Sequence, residues 1–312
     1  IEARDQILDL DVPSTSGFSS TVVNAGLLTN KGFELMLTGK PVDNPNGFSW
    51  DIGVNWAKNT NEVVELAEGL DNYLIASWGP SINAKVGQPY GTWVTDGFVY
   101  YNDEVAPENR IVQTNGLYER ATNQTYGTYL PNWVGGITNN FSYKGVRLYA
   151  LVDFQNGGQL YSVSNRYGTY SGMMAETVGD NAQGNPMRDP VANGGGVLAV
   201  GVDENGAPNT VYSEAVDYFQ HLRTRREYYL YDASFVKLRE VKLSYTFPSK
   251  WFNNTPFQSL ELAFVGRNLA ILSKNVPNVD PESAYGSGNI QGFENGQHPS
   301  TRSLGFSLNV KL

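Results

Sequence analysis

The last ten residues, Ser303 to Leu312, alternate small or polar with apolar without a break. Successive side chains of a strand point to opposite faces, so Leu304, Phe306, Leu308, Val310 and Leu312 share one face. Ser303, Gly305, Ser307, Asn309 and Lys311 share the other. Soluble strands usually run about five or six residues, whereas a tilted strand needs about 9–11 to cross a bilayer. One such strand also fits the edge of a soluble sandwich. What decides between the two is whether the pattern recurs.

It recurs. Phe48, Trp50, Ile52, Val54 and Trp56 alternate with Ser49, Asp51, Gly53, Asn55 and Ala57, with aromatics at both ends and aliphatics between. Trp and Tyr favour the two membrane–water interfaces because the ring carries a polar handle on an apolar body. Val146, Leu148, Ala150, Val152 and Phe154 form another apolar face, and Val241, Leu243, Tyr245 and Phe247 another. Leu260, Leu262 and Phe264 follow, with shorter outlines at Ile137, Phe141, Tyr143 and at Phe33, Leu35, Leu37. In a soluble sandwich these faces would look inward on a shared core. In a barrel they would look outward into lipid.

Connection lengths favour the barrel. Lys144-Gly145, Lys40 to Gly47 and Pro248 to Phe257 are short links, while the stretches from Asn59 to Trp133, Asn156 to Tyr228 and Asn268 to Ser300 are long. Loops beyond about 12–15 residues are uncommon in compact soluble domains, and short turns on one side with long loops on the other is the plan of outer-membrane barrels. The pattern predicts eight strands near 1–10, 24–39, 47–58, 134–143, 146–155, 232–247, 258–267 and 301–312. The lipid-facing set is then Trp50, Ile52, Val54, Leu148, Val152, Leu243, Tyr245, Leu262, Phe264, Leu304, Phe306, Leu308 and Val310. One segment breaks the parity: Lys237 and Arg239 fall in register with Val241 and Leu243. Either the strand protrudes from the membrane there, or a bulge switches its faces. The strand is longer than a crossing requires, so protrusion is the reading taken.

Composition fits an all-β chain, with 33 Gly, 19 Tyr, 14 Phe and 6 Trp in 312 residues. No apolar run approaches a membrane helix, and mean hydropathy is −0.36, but such scans miss barrels because half of each strand faces water. The absence of Cys excludes a disulfide scaffold and thiolate metal sites. A net charge of −9 argues against nucleic acid as a partner. The start at Ile1, with neither an initiator Met nor a signal sequence, reads as a fragment or a mature C-terminal piece.

Several phrases resemble one family. Asn24-Ala25-Gly26 followed by Asn30-Lys31-Gly32-Phe33-Glu34 resembles the strand entry of SusC/RagA-type TonB-dependent transporters. Leu130-Pro131-Asn132-Trp133-Val134-Gly135-Gly136 with Phe141-Ser142-Tyr143-Lys144-Gly145 resembles that family's hairpin, and Asp153-Phe154-Gln155-Asn156-Gly157-Gly158 follows in order. The strongest match is Tyr231-Asp232-Ala233-Ser234-Phe235-Val236-Lys237-Leu238-Arg239-Glu240-Val241, ahead of a strand ending in Tyr245-Thr246-Phe247-Pro248. Gly266-Arg267-Asn268-Leu269 and Asp280-Pro281-Glu282 complete the series, and the terminal Leu312 departs from the family's usual aromatic.

The resemblance implies an all-β, antiparallel transmembrane β-barrel fragment. Residues 1–312 would supply about eight C-terminal strands of a barrel of roughly 22, with long extracellular loops and without the plug domain. It implies an outer-membrane nutrient importer of a Bacteroidetes-type bacterium, a multi-pass protein of the cell outer membrane and not an enzyme. Such an importer takes up glycans or oligopeptides with TonB-supplied energy, reached through the missing N-terminal plug, beneath a SusD-like lipoprotein lid. Outer-membrane lipid and lipopolysaccharide are the remaining partners, with the outer-membrane assembly machinery a candidate at the C-terminal strand. A soluble secreted β-rich binding or adhesion module is the alternative.

Chemistry-bearing motifs are few. Gly194-Gly195-Gly196-Val197-Leu198-Ala199 satisfies a dinucleotide pattern in form, but no apolar strand precedes it. Asp203-Glu204-Asn205-Gly206 lacks the alternating ligands of a calcium loop and reads as a surface turn. His221 and His298 lack metal-ligand spacing, and no cofactor is expected. Arg223, Arg225 and Arg226 form a candidate outer-rim patch for lipopolysaccharide phosphates or a lid protein, set against a plain solvated charge patch. In the long loops Trp78, Tyr90, Trp93, Tyr126 and Tyr129 are candidate ligand contacts by aromatic stacking, set against packing of the loops on themselves.

Overall fold

Eight antiparallel strands follow one another in a single meandering sheet in the computed structural model, which describes residues 1–11, 20–24, 26–44, 46–253, 255–284, 286 and 288–312. Ala25 of the strand-entry phrase, Pro45 of the first short turn and Asn254 of the third lie outside the described residues. The strands are β1 (Glu2–Arg4), β2 (Leu27–Val42), β3 (Phe48–Glu65) and β4 (Trp133–Tyr143). Then come β5 (Val146–Asn156), β6 (Phe235–Thr246), β7 (Ser259–Lys274) and β8 (Ser303–Lys311). Spatial order equals chain order, and the sheet stays open at β1 and β8.

Register makes each face continuous from strand to strand. Directly paired residues share a face, and Trp50, Phe141, Leu148, Leu243, Phe264 and Phe306 pair in succession across six strands. A parallel row runs through Leu37, Val54, Ile137, Val152 and Leu238. On the opposite face the matching row is Ser49, Ser142, Arg147, Ser244, Ala263 and Ser307. A slip of one residue would invert a whole strand, so the apolar alternation fixes this register. The turn between β4 and β5 helps fix it too. Lys144 and Gly145 both have positive φ, 45° and 88°, as a two-residue hairpin of the twist-matched kind requires.

Two expectations are corrected. The first strand does not run through residues 1–10. Asp5 takes φ 54°, the wall strand stops at Arg4, and Ile7–Asp11 pairs instead with Ser20–Asn24 in a separate hairpin. The second correction concerns Lys237 and Arg239. The β6 strand does not escape its parity conflict by protruding. Pairing with β5 jumps from Leu151–Glu240 to Val152–Leu238, leaving Arg239 as the extra residue of a bulge. Outward residues are therefore Val241 and Leu243 on one side of the bulge and Leu238 and Val236 on the other, all paired to apolar-face partners. Lys237 pairs with Asp153 on the polar face.

Buried apolar side chains gather in the long loops. The largest cluster includes Ile82, Trp93, Phe98, Tyr118, Tyr161, Leu222, Tyr229 and Phe293. Two smaller clusters lie around Leu160 and Val276 and around Val63 and Leu66. The loops carry their own four-stranded sheet, Asn72–Ser77, Ser81–Lys85, Thr92–Phe98 and Arg120–Thr128, and two short helices, α1 (Val163–Tyr170) and α2 (Ala215–Leu222). Ser162 caps α1 by accepting from the Asn165 amide at 3.1 Å.

Candidate functional site

The apolar face of the wall has no partner layer among the described residues. Leu148, Leu243, Leu262, Phe264, Leu304, Phe306, Leu308 and Val310 are exposed, Phe306 to 81%. Trp50, Ile52, Val54, Val152 and Tyr245 are half-buried by their neighbours within the sheet. None of these thirteen belongs to a buried cluster. Aromatics close the face at both ends, with Phe48 and Trp50 stacked on Phe141 at one and Phe33 against Trp56 and Trp133 against Phe154 at the other. From Phe48 to Lys58 is ten residue steps, about 33 Å along a strand and about 25 Å of height at a tilt near 40°. That is the height of a hydrocarbon belt.

The polar face holds an ionic cluster built around the bulge. Lys237 Nζ donates to Asp280 Oδ1 and to Glu282 Oε2, each at 2.5 Å. Arg239 Nε donates to Asp153 Oδ2 at 2.6 Å, and its Nη2 donates to Glu282. Its Nη1 lies 3.3 Å from Asn268 Oδ1, where β7 makes the facing irregularity with Asn268 at φ 49°. Ser300 donates to Asp280, and the Glu282 amide donates to Asp280 Oδ1 at 3.0 Å. Lys237 and Asp280 are buried, at 3% and 6%. Two phrases of the family resemblance, residues 231–241 and 280–282, thus bind each other and tie the last long loop to the wall. For Asp280 and Glu282 burial opposes charge, but the Lys237, Arg239 and Ser300 donors outweigh it and hold both carboxyls below their ordinary values.

The loop aromatics divide. Trp93 is fully buried and Tyr129 nearly so, and both pack in the main loop cluster. They offer no free ring face to a ligand, because a loop assembly this large needs a core of its own. Gly91, at φ 79°, marks the same crowding: a Cβ there would meet the Tyr129 ring. Tyr90 packs on that cluster from its edge, and Trp78 stays exposed beside the Tyr167 ring. Tyr126 alone of the five lines the large cleft of the loops, about 840 Å³, together with Phe98, Tyr100, Arg110, Gln159, Glu227, Tyr228 and Tyr231. Glu227 organises that wall. It accepts from Tyr100 at 2.5 Å, from Tyr126 at 2.8 Å and from the Phe98 amide at 3.0 Å. Burial and then the Glu227 carboxylate push the Tyr100 phenol up to about 12. Sequence reasoning missed Glu227 and Arg110, since each meets its neighbours across folds of chain that leave no local periodicity.

The arginine patch expected at the rim is also corrected. Arg225 is buried, donating to the Tyr118 carbonyl and to Thr224 Oγ1, and burial followed by nearby Arg120 lowers its pKa to about 10. Arg226 pairs with Asp96 at 3.1 Å, and Arg223 lies 5.1 Å over the Tyr170 ring. All three hold the loops together. His221 meets the Tyr118 carbonyl at 2.9 Å, and no cluster of metal-ligating residues occurs among the described residues. Asp203 Oδ1 accepts from the Asn205 and Ala207 amides as an ordinary turn. Gly194 to Gly196 lead into the two-residue strand Val197–Leu198, not into a helix.

A long antiparallel meander with one mainly apolar face, interrupted at Asn139, which accepts from Trp50 Nε1, with aromatic margins and with the buried clusters of the described residues in the loops and at the end of β3, is a segment of transmembrane β-barrel wall. No family model matches the chain. Over its whole length it is 23% identical to TonB-dependent receptor P3 of Formosa agariphila, covering 31% of that protein. Over 80% of its length it is 24% identical to TonB-dependent receptor SusC of Bacteroides thetaiotaomicron, covering 24% of that one. Its fold superposes on the RagAB peptide importer in the closed-closed state with a TM-score of 0.67 at 19% identity, over 99% of this chain and 32% of the other. In sequence and in fold the chain is similar to a segment of SusC/RagA-type TonB-dependent transporters. The chain spans about a third or less of the length of these relatives.

Proposed function

We propose that the chain forms part of the barrel wall and outer loops of an outer-membrane nutrient importer for glycans or oligopeptides. The observation that supports this most is the six-residue apolar row from Trp50 to Phe306, which lies on an uncovered face while buried clusters occur in the loops. We assign that face, from Trp50 to Val310, to the acyl chains of the outer membrane, and the face of Asp51, Lys242, Glu261 and Asn309 to the lumen. Energy would come from TonB through a plug supplied by another part of the protein, and a SusD-like lipoprotein would cover the loops. A secreted soluble module would have to bury the apolar face, and nothing among the described residues does so.

The test uses the full-length protein in its native host. It should fractionate with outer membranes, require detergent for extraction, and support uptake of a labelled oligosaccharide or oligopeptide that stops when TonB is deleted. Recovery as a monodisperse protein without detergent would refute the assignment.

A further inference from the structure

We propose that Arg110 anchors the anionic group of an acidic oligosaccharide, a uronate or a sulfate ester, in the loop cleft; this rests on the importer reading above. Arg110 is the cation that lines that cleft. Its guanidinium lies 4.1 Å over the Phe98 ring, with Tyr118 and Tyr228 farther off at 5.8 and 6.0 Å. None of the ion pairs among the described residues includes it. By contrast, Arg120 and Arg226 share Asp96. Its Nε is buried with no hydrogen-bond acceptor.

Glu227 lines the same cleft and keeps its charge, but no ion pair among the described residues joins it to Arg110. Both oxygens of Glu227 are taken by Tyr100, Tyr126 and the Phe98 amide. Asp103 and Glu176, which also line the cleft, are exposed, where water screens them. An aromatic face attracts a cation without cancelling its charge, so the guanidinium keeps its capacity for a fork-shaped bond to a carboxylate or sulfate.

A second unpartnered atom says what else the ligand carries. Gln159 Oε1, in the same lining, is buried with no donor. A cation whose partners are the neutral Tyr100 and Tyr118 hydroxyls and aromatic rings, with an open acceptor in the same cleft lined by Tyr126, Tyr228 and Tyr231, suits a pyranose. Its C–H face stacks on aromatics, a hydroxyl donates to the amide, and its acidic substituent meets the guanidinium.

The experiment measures binding to the purified full-length protein in detergent by isothermal titration calorimetry. The probes are an oligogalacturonate, a sulfated galacto-oligosaccharide, the neutral galacto-oligosaccharide and an oligoglutamate peptide. At least one acidic sugar should bind about tenfold or more tighter than the neutral one, the range expected of a hydrogen bond between charged groups. Which one it is separates carboxylate from sulfate. Arg110→Gln should erase that difference, weakening acidic-sugar binding more than neutral-sugar binding, and Arg110→Lys should restore part of it. Equal affinity for neutral and acidic sugars, equal loss of both in Arg110→Gln, or Arg110-dependent binding of the peptide alone would each overturn the proposal. Outer-membrane fractionation and TonB-dependent uptake, followed in parallel, report on the importer reading separately.

Discussion

Removing the Lys237 ammonium tests whether the bulge is a tether. In Lys237→Met the apolar stem stays and the charge goes, leaving Asp280 buried with Ser300 and the Glu282 amide as its remaining donors. Glu282 is cushioned because Arg239 still reaches it. Breaking one partner of a buried pair costs about 3–5 kcal/mol, since the orphaned charge is left without compensation. Protonation of Asp280 would cap the loss near the lower figure. Three kcal/mol is about two powers of ten in an opening equilibrium, and the opening concerned is local, the release of residues 275–284 from the wall. Hydrogen exchange of the full-length protein in detergent reads it directly. The Glu282 and Ser283 amides, which bond to Asp280, should exchange about a hundredfold faster. Arg267→Ala is the comparison. Its pair with Glu240 is made by a side chain 67% exposed, so it should cost no more than about 1 kcal/mol. The double variant Lys237→Met with Asp280→Asn, which removes both charges but keeps an acceptor for the Glu282 amide, should recover most of the protection. Unchanged exchange in the single variant, or a double variant as open as the single, would refute the tether.

Two other expectations follow from the same surfaces. Leu308→Arg puts a charge on the apolar face and should cost about 2–4 kcal/mol near mid-membrane. Asn309→Arg, one residue on and facing the lumen, should cost little; urea titration of the folded, heat-modifiable band compares them. Acid should also loosen the tether. Because Asp280 and Glu282 titrate below their ordinary 3.8 and 4.5 in the folded protein, their contribution is complete above those values and fades as pH falls through the depressed ones. Pepsin cleavage between residues 275 and 300 should therefore rise toward that of the single variant Asp280→Asn, which leaves Lys237 without that anion, as pH drops below about 4. Equal cleavage ratios at every pH would argue against the linkage.

How much of this was legible depends on what a residue has to obey. Wall residues obey a rule of period two, and β2 through β8 lie close to where alternation puts them. The upper ends of β3 and β7 run seven residues past the expected 58 and 267, to Glu65 and Lys274. Above the membrane both faces meet water or loop, so the apolar signal stops before the hydrogen-bonded ladder does. Loop residues obey only the shape of one particular assembly. Trp93 packs against Tyr161 and Phe293, and Glu227 receives Tyr100 and Tyr126, contacts between distant segments that no local pattern announces. Trp93 and Tyr126 therefore read alike as aromatics, though one seals the core and the other lines the cleft.

The place where the alternation failed was the more informative one. Lys237 and Arg239 stand in the wrong parity for a straight strand, and two charges facing hydrocarbon would together cost several kcal/mol. A bulge removes that penalty by turning both inward, but inward alone would leave a buried Lys237 needing an anion. Asp280 and Glu282 supply it, so a broken period at 237–239 and an acidic pair at 280–282 are two halves of one condition. Given both, the bulge is required and the fold of the last long loop is constrained. Protrusion, which satisfies only the hydrocarbon, leaves the acidic pair unexplained.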